Sequence, residues 1–166
     1  MSQQGADEEY WPDLPYPAWR ETCETLRLWT QIVGKIRLSQ TPWLNHSWHV
    51  TFYVTARGLT TSPIPYGARV FQIDFDFIDH VLRVETSEGL RRQLPLRAQP
   101  VADFHAAVMT TLSDLGIRVA IDEMPNEVPN AIRFSEDRVH AAYDPDYAQR
   151  FWRLLLQADR VFKSFR

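Results

Sequence analysis

One cysteine, two lysines and no basic run longer than Arg91-Arg92 are the scarcest features of this 166-residue sequence. A lone Cys23 cannot close an intrachain disulfide, so the fold does not depend on an oxidising compartment and a cytoplasmic location is expected. With 18 basic and 21 acidic residues the net charge is −3, which removes the electrostatic footprint of a nucleic-acid binder. The scarcity of lysine beside arginine reads as coding composition and carries no function. Nowhere do eighteen apolar residues run together, and residues 1–9 have neither a basic n-region nor an apolar h-region. Membrane spanning and export are therefore not expected. There is no G-x-S-x-G, no phosphate-cradling glycine loop, no dinucleotide fingerprint and no C-x-x-C. The standard nucleotide and redox classes lose their support, and no cofactor is implied.

What is present is an ordinary apolar fraction, 45%, with an aromatic share of 13%, enough to bury one continuous core. Residues 1–9 are polar and are expected to form a disordered tail, leaving 10–166 as a single domain. The prolines of Trp11-Pro12-Asp13-Leu14-Pro15-Tyr16-Pro17 imply an extended arm. Apolar residues at Trp19, Cys23, Leu26, Trp29, Val33 and Ile36 then predict a helix running to about Leu38. Trp48, Val50, Phe52, Val54 and Ala56 alternate with His49, Thr51, Tyr53, Thr55 and Arg57, which predicts a strand ended by Gly58. Residues 59–67 hold Pro63 and Pro65 and are expected to form a loop.

The period is again two from Arg69, with Phe71, Ile73, Phe75 and Phe77 on one face. A two-residue turn at Asp79-His80 would set Phe77 opposite Leu82, Phe75 opposite Val84, Asp76 opposite Arg83 and Asp74 opposite Glu85. A turn at Glu88-Gly89 leads into a third strand over 90–96. Pro100 opens a helix carrying Phe104, Val108, Leu112 and Leu115, which Gly116 closes. Residues 118–121 read as a short strand, and 124–130 as a proline-stiffened loop. Asp144-Pro145 starts a last helix with a stripe of Phe151, Leu155, Ala158, Phe162 and Phe165. These elements make an α+β fold, a mainly antiparallel sheet of about five strands with amphipathic helices packed on one face. The stripe is still periodic at Arg166, so the chain is expected to be short at its C-terminus.

Chemistry is densest at Trp43-Leu-Asn45-His46-Ser47-Trp48-His49. On a strand His46 and His49 face opposite ways, so no metal site is expected there. Trp43, His46, Trp48, His49, Tyr53, Arg57 and Tyr66 are the candidate lining of a ligand pocket, the guanidinium and imidazoles meeting polar groups and the aromatics forming walls. The row His49, Tyr53, Arg57 serves equally as the solvated face of a strand. Asp74 and Glu85, a like-charged pair in the register above, are secondary candidates. Cys23, on the apolar face of the first helix, reads as packing.

Trp11-Pro12-x-Leu14-Pro15, Trp43-Leu-Asn-His-Ser-Trp-His49, Thr55-Ala-Arg-Gly-Leu-Thr-Thr61, Ile73-Asp-Phe-Asp-Phe-Ile-Asp-His80 and Met124-Pro-Asn-Glu127 resemble a bacterial family, domain of unknown function 5996, from about Tyr10 to Arg166. The resemblance implies no activity and no catalytic residues. It does imply that members continue past the last helix into a further aromatic- and histidine-bearing region. Two expectations for function follow. The chain is a cytoplasmic small-molecule-binding domain, with enzyme activity left open, or its aromatic surface packs on a protein partner or on a missing C-terminal region.

Overall fold

The computed structural model describes residues 11–42, 46 and 50–165. The expected disordered tail and residues 43–45 and 47–49 therefore lie outside the described residues. The order of elements is α1 (Tyr16–Gln40), β1 (Tyr53–Val54), β2 (Gly58–Thr60), β3 (Ile64–Tyr66), β4 (Arg69–Asp76), β5 (Val81–Thr86), β6 (Arg91–Pro95), α2 (Val101–Asp114) and α3 (Pro145–Lys163). The fold is α+β with an antiparallel sheet. Among the described residues it has six strands, one more than expected, in the order β1-β2-β4-β5-β6 with β3 also paired to β4.

The core-facing residues of β4 and β5, Phe71, Ile73, Phe75, Leu82 and Val84, are buried, and α1 and α2 supply the opposing apolar layer. Trp29 of α1 is fully buried and stacks on Phe104 of α2 at 4.5 Å and on Tyr143 at 5.4 Å between ring centroids. Helix ends follow local chemistry. The Asp144 carboxylate accepts from the amides of Asp146 and Tyr147, the capping that Asp144-Pro145 implied. Gly116 sits at φ +70 with Ile117 N–H donating to Leu112 O at 2.8 Å, a Schellman closure of α2. The stripe of α3 is partly displaced from expectation. Ala148 and Trp152 are its buried residues, whereas Phe162 is 72% exposed and Phe165, beyond the helix, 82%.

Four sequence expectations for the sheet are corrected. Among the described residues, the strand expected over 48–57 survives only as Tyr53–Val54, because Thr51 O is taken by the Arg37 guanidinium at 2.6 Å and Thr55 N–H turns back to Gly58 O at 2.9 Å. That turn also ends the expected row of His49, Tyr53 and Arg57. Residues 59–67 are not a loop but hold most of two short strands laid end to end along β4. The register slips by one residue between Thr60↔Asp74 and Ile64↔Phe71, a bulge in which Ser62 adopts φ +57. Pro65 is tolerated because its partner Val70 exchanges hydrogen bonds with Ser87 on the other side, leaving the proline nitrogen on the free edge.

The third correction is the β4–β5 register. The Asp76 carboxylate accepts from the amides of Ile78 and Asp79, both at 2.9 Å, which closes a turn over residues 77–80. Phe75 therefore faces Leu82, Ile73 faces Val84 and Asp74 faces Arg83, a slip of two residues that preserves which side chains face the core. Fourth, residues 118–121 form no strand, since Arg118 N–H donates to the Tyr66 hydroxyl at 3.0 Å.

Between α2 and α3, residues 117–143 carry no helix or strand. This strap is nonetheless anchored. Phe134 and Asp137 are buried, and the carbonyls of Asp137 and His140 accept from the first amides of α2, Ala102 and Val101. Those carbonyls do the work of the side-chain cap that Pro100 cannot offer. Asp137 in turn accepts from His140 Nδ1 at 2.7 Å and from the amides of Val139 and His140. Among the described residues no helix is long and apolar enough to cross a membrane.

Burial lowers the pKa of two histidines. His80 accepts or donates at Nδ1 with the Tyr143 hydroxyl at 2.8 Å, and His105 is buried against Phe134 with Nε2 lacking a partner among the described residues. Burial outweighs the nearby Asp76 and Asp79 in the first case and Glu123 in the second. Both rings take up a proton at lower pH in the fold than in the unfolded chain, which titrates near 6.5. Stability is therefore full above about pH 6.5 and falls as pH drops below it, because the unfolded chain takes up the protons before the folded one does. Urea midpoints at pH 7.5 and 5.5 are expected to show this fall, and His105→Leu to show a smaller one. An undiminished fall in the variant would mean that His105 is not held neutral.

Candidate functional site

The residues proposed from sequence do not converge. Trp43, Trp48 and His49 lie outside the described residues, and His46 is exposed at φ +54. Tyr53 is half exposed on β1 with the Arg37 guanidinium 5.6 Å from its ring centroid. Arg57 is consumed by carboxylates: Nε meets Asp76 Oδ2 at 2.6 Å and Nη2 meets Asp79 Oδ2 at 2.7 Å. Tyr66 holds the Arg118 amide and packs edge-on against Phe71, with Arg69 over its ring. Tyr66 is paired with the first residue of β4 and Arg57 is bonded to the last, so seven residues of strand, about 23 Å, separate them.

Asp74 and Glu85 are not a repulsive pair. Asp74 faces Arg83 and accepts from the Gln72 carboxamide at 3.0 Å, whereas Glu85 pairs with Arg91. The buried carboxylate of the sheet is Asp76 instead, 1% exposed and held by Arg57 and Arg83. Burial alone would raise its pKa; the hydrogen bonds from Arg57, the Asp79 and Ile78 amides and Arg83 outweigh burial and hold it at about 2. A carboxylate so saturated with donors is a structural anchor and not a proton acceptor. Among the described residues no three His, Cys, Asp or Glu side chains are grouped to hold a metal ion.

A well-formed concavity lies elsewhere, a groove of about 640 Å³ between α1 and the strap. Arg27, Gln31 and Lys35 recur every fourth residue and so lie along one face of α1. Each of them grips main chain of the strap. Arg27 Nη2 donates to Glu127 O at 2.5 Å, and Lys35 Nζ donates to Met124 O at 2.6 Å. The Gln31 carboxamide both donates to Asn126 O at 3.0 Å and accepts from Asn126 N–H at 2.8 Å. Glu127 is thereby held at φ +56, a conformation costly for a residue with a side chain and seen often at ligand sites. Farther along α1 the wall becomes apolar through Leu38, Val50, Phe52 and Ile121. Gly34 lets the helix approach closely, since a Cβ there would stand 3.3 Å from Val50 Cγ1. The lining runs from Arg27 to Ser39, twelve residues or about 18 Å of helix.

Met124-Pro-Asn-Glu127 recurs among the segments that carry the family resemblance, and it is the stretch α1 grips. A model of a family of unknown function, DUF5996, matches residues 11–166. The chain belongs to the DUF5996 family. No curated protein and no solved structure matches this DUF5996 chain. The sequence signals that could have led to its groove were present in that motif and in the four-residue spacing of Arg27, Gln31 and Lys35. What hid the groove is that its two walls are nearly a hundred residues apart, Gln31 and Asn126 being separated by 95 positions.

Proposed function

We propose that this DUF5996 chain is a cytoplasmic protein that binds a small, elongated organic molecule in the groove between α1 and the strap. The observation that carries it is the two-ended lining, hydrogen-bonding at Arg27, Gln31, Asn126 and Glu127 and apolar at Leu38, Val50 and Phe52. A volume of about 640 Å³ falls within the usual size of ligand sites. The strap is pinned by three side chains before any ligand arrives, so binding need not pay to order it. Lys35 and Asp122 are engaged with each other and with main chain, which favours binding over proton transfer.

Ala120 lines the groove from an exposed position on the strap, so Ala120→Trp fills the groove without touching the core. A thermal-shift screen against a metabolite library is expected to find compounds that raise the melting temperature of the unsubstituted chain and not of Ala120→Trp. Shifts that persist in the variant, or none in either protein, would remove the groove as the site.

A protein-contact role is the alternative, supported by the exposure of Phe162 and Phe165 with Val161 beside them at the end of α3. Sedimentation velocity over a concentration series tests it: self-association abolished by Phe162→Ser with Phe165→Ser supports the contact, and a monomer at every concentration argues against it.

A further inference from the structure

The charges around the groove narrow the class of molecule it takes, a deduction that rests on the binding role just proposed. In its middle, Lys35 Nζ lies 3.4 Å from Asp122 Oδ2, and this pair cancels locally. At the polar end, Arg27 spends one N–H on Glu127 O, and among the described residues its guanidinium has no ion-pair partner. The Glu127 carboxylate has none there either. One uncompensated cation and one uncompensated anion thus border the same end of the groove, tied to each other by the Arg27 to Glu127 main-chain bond. At the far end Leu38, Val50 and Phe52 offer carbon.

We infer that the ligand is an amphiphile whose head group carries no net charge but both donates and accepts hydrogen bonds, an α-amino acid zwitterion or a carboxamide, with its apolar chain lying on Leu38, Val50 and Phe52. A carboxylate head gains from Arg27 and is opposed by Glu127; an ammonium head meets the reverse. Juxtaposed like charges are strongly discriminating. A head carrying both signs, or neither, satisfies both residues at once, and charge-assisted hydrogen bonds are the stronger kind. The apolar chain draws on area burial at the other end.

Four probes with the same eight-carbon skeleton separate the cases: 2-aminooctanoate, octanamide, octanoate and octylammonium, each titrated calorimetrically at pH 7 into the unsubstituted chain and Ala120→Trp. The zwitterion and the amide are expected to bind about tenfold or more tightly than either singly charged probe, and none is expected to bind Ala120→Trp. Glu127→Gln is expected to shift preference towards octanoate, and Arg27→Gln towards octylammonium. If octanoate or octylammonium binds the unsubstituted chain as tightly as the zwitterion, while Ala120→Trp still blocks binding, the head-group class is overturned and the groove stands. If no probe binds, or all bind Ala120→Trp equally well, the groove itself fails, and the head-group class with it.

Discussion

Replacement of Asp76 by alanine is expected to lower the unfolding free energy by about 3–5 kcal/mol, the cost of removing one partner from a buried charge network. The carboxylate is 1% exposed and joins three pieces of chain. Arg57 brings the β1–β2 turn, Arg83 brings β5, and the amides of Ile78 and Asp79 bring the turn between β4 and β5. Alanine leaves Arg83, itself only 18% exposed, without its carboxylate and two amides without an acceptor. Asp76→Asn keeps an oxygen for those amides but sets an NH2 where Oδ2 accepts from Arg57 Nε and Arg83 Nη2, so it loses the charge and those two contacts and about 2–3 kcal/mol is expected from it. Urea denaturation at pH 7 measures both.

The pH dependence of that loss has a definite sign. The Asp76 pKa is depressed in the fold, from 3.8 to about 2. Its charge contribution is present above 3.8 and disappears as pH falls through about 2. The gap between the unsubstituted chain and Asp76→Asn should hold from pH 7 to about 4 and narrow towards pH 2. A constant gap down to pH 2 would show that the carboxylate is not held ionised by these arginines.

Gly58→Ala, in the same corner, is expected to cost about 3 kcal/mol or more, within the range reserved for backbone and burial defects. A Cβ at Gly58 would stand 1.8 Å from Phe75 O and 2.9 Å from Phe75 C. Both are main-chain atoms of β4, so no side-chain rotation relieves the overlap. The β2–β4 pairing at Gly58↔Asp76 and the Phe77 N–H to Arg57 O bond of 2.8 Å must both give way. A melting temperature within about 2 °C of the unsubstituted chain would refute the close approach. Because Gly58 and Asp76 are paired residues, the double variant should lose less than the sum of the single losses.

Much of the local architecture was legible in the residues themselves. The 3.6-residue spacing of Trp19, Leu26, Trp29, Val33 and Ile36 marked α1, which ends two residues beyond the expected Leu38. Asp144-Pro145 and Gly116 marked helix ends that the structure places at those residues. The alternation of Phe71, Ile73 and Phe75 tells which side of β4 is buried, and a two-residue slip of the pairing leaves that side unchanged. The segment motifs gave the family, and the match to DUF5996 agrees.

The candidate site was far less legible. Tyr53 and Arg57 fell in one row because the strand expected over 48–57 would have aligned them, whereas a turn at 55–57 breaks that row and seven residues of β4 part Arg57 from Tyr66. The groove residues Arg27, Gln31 and Lys35 share a four-residue spacing, but that spacing does not tell that their face of α1 meets a strap some 95 positions away.

By itself the sequence determined the helices, the facing of β4 and β5 and the α+β class, since periodicity, capping and turn chemistry act over a few neighbouring residues. The tertiary structure alone decided the two-residue slip of β4 on β5, where the Asp76 side chain competes for turn amides. It also decided the tolerance of Pro65 on a free edge. Above all it decided the groove, whose walls meet through side chains of α1 and main chain of the strap. The strap has no period of its own, so only its hydrogen bonds to distant helices could place it.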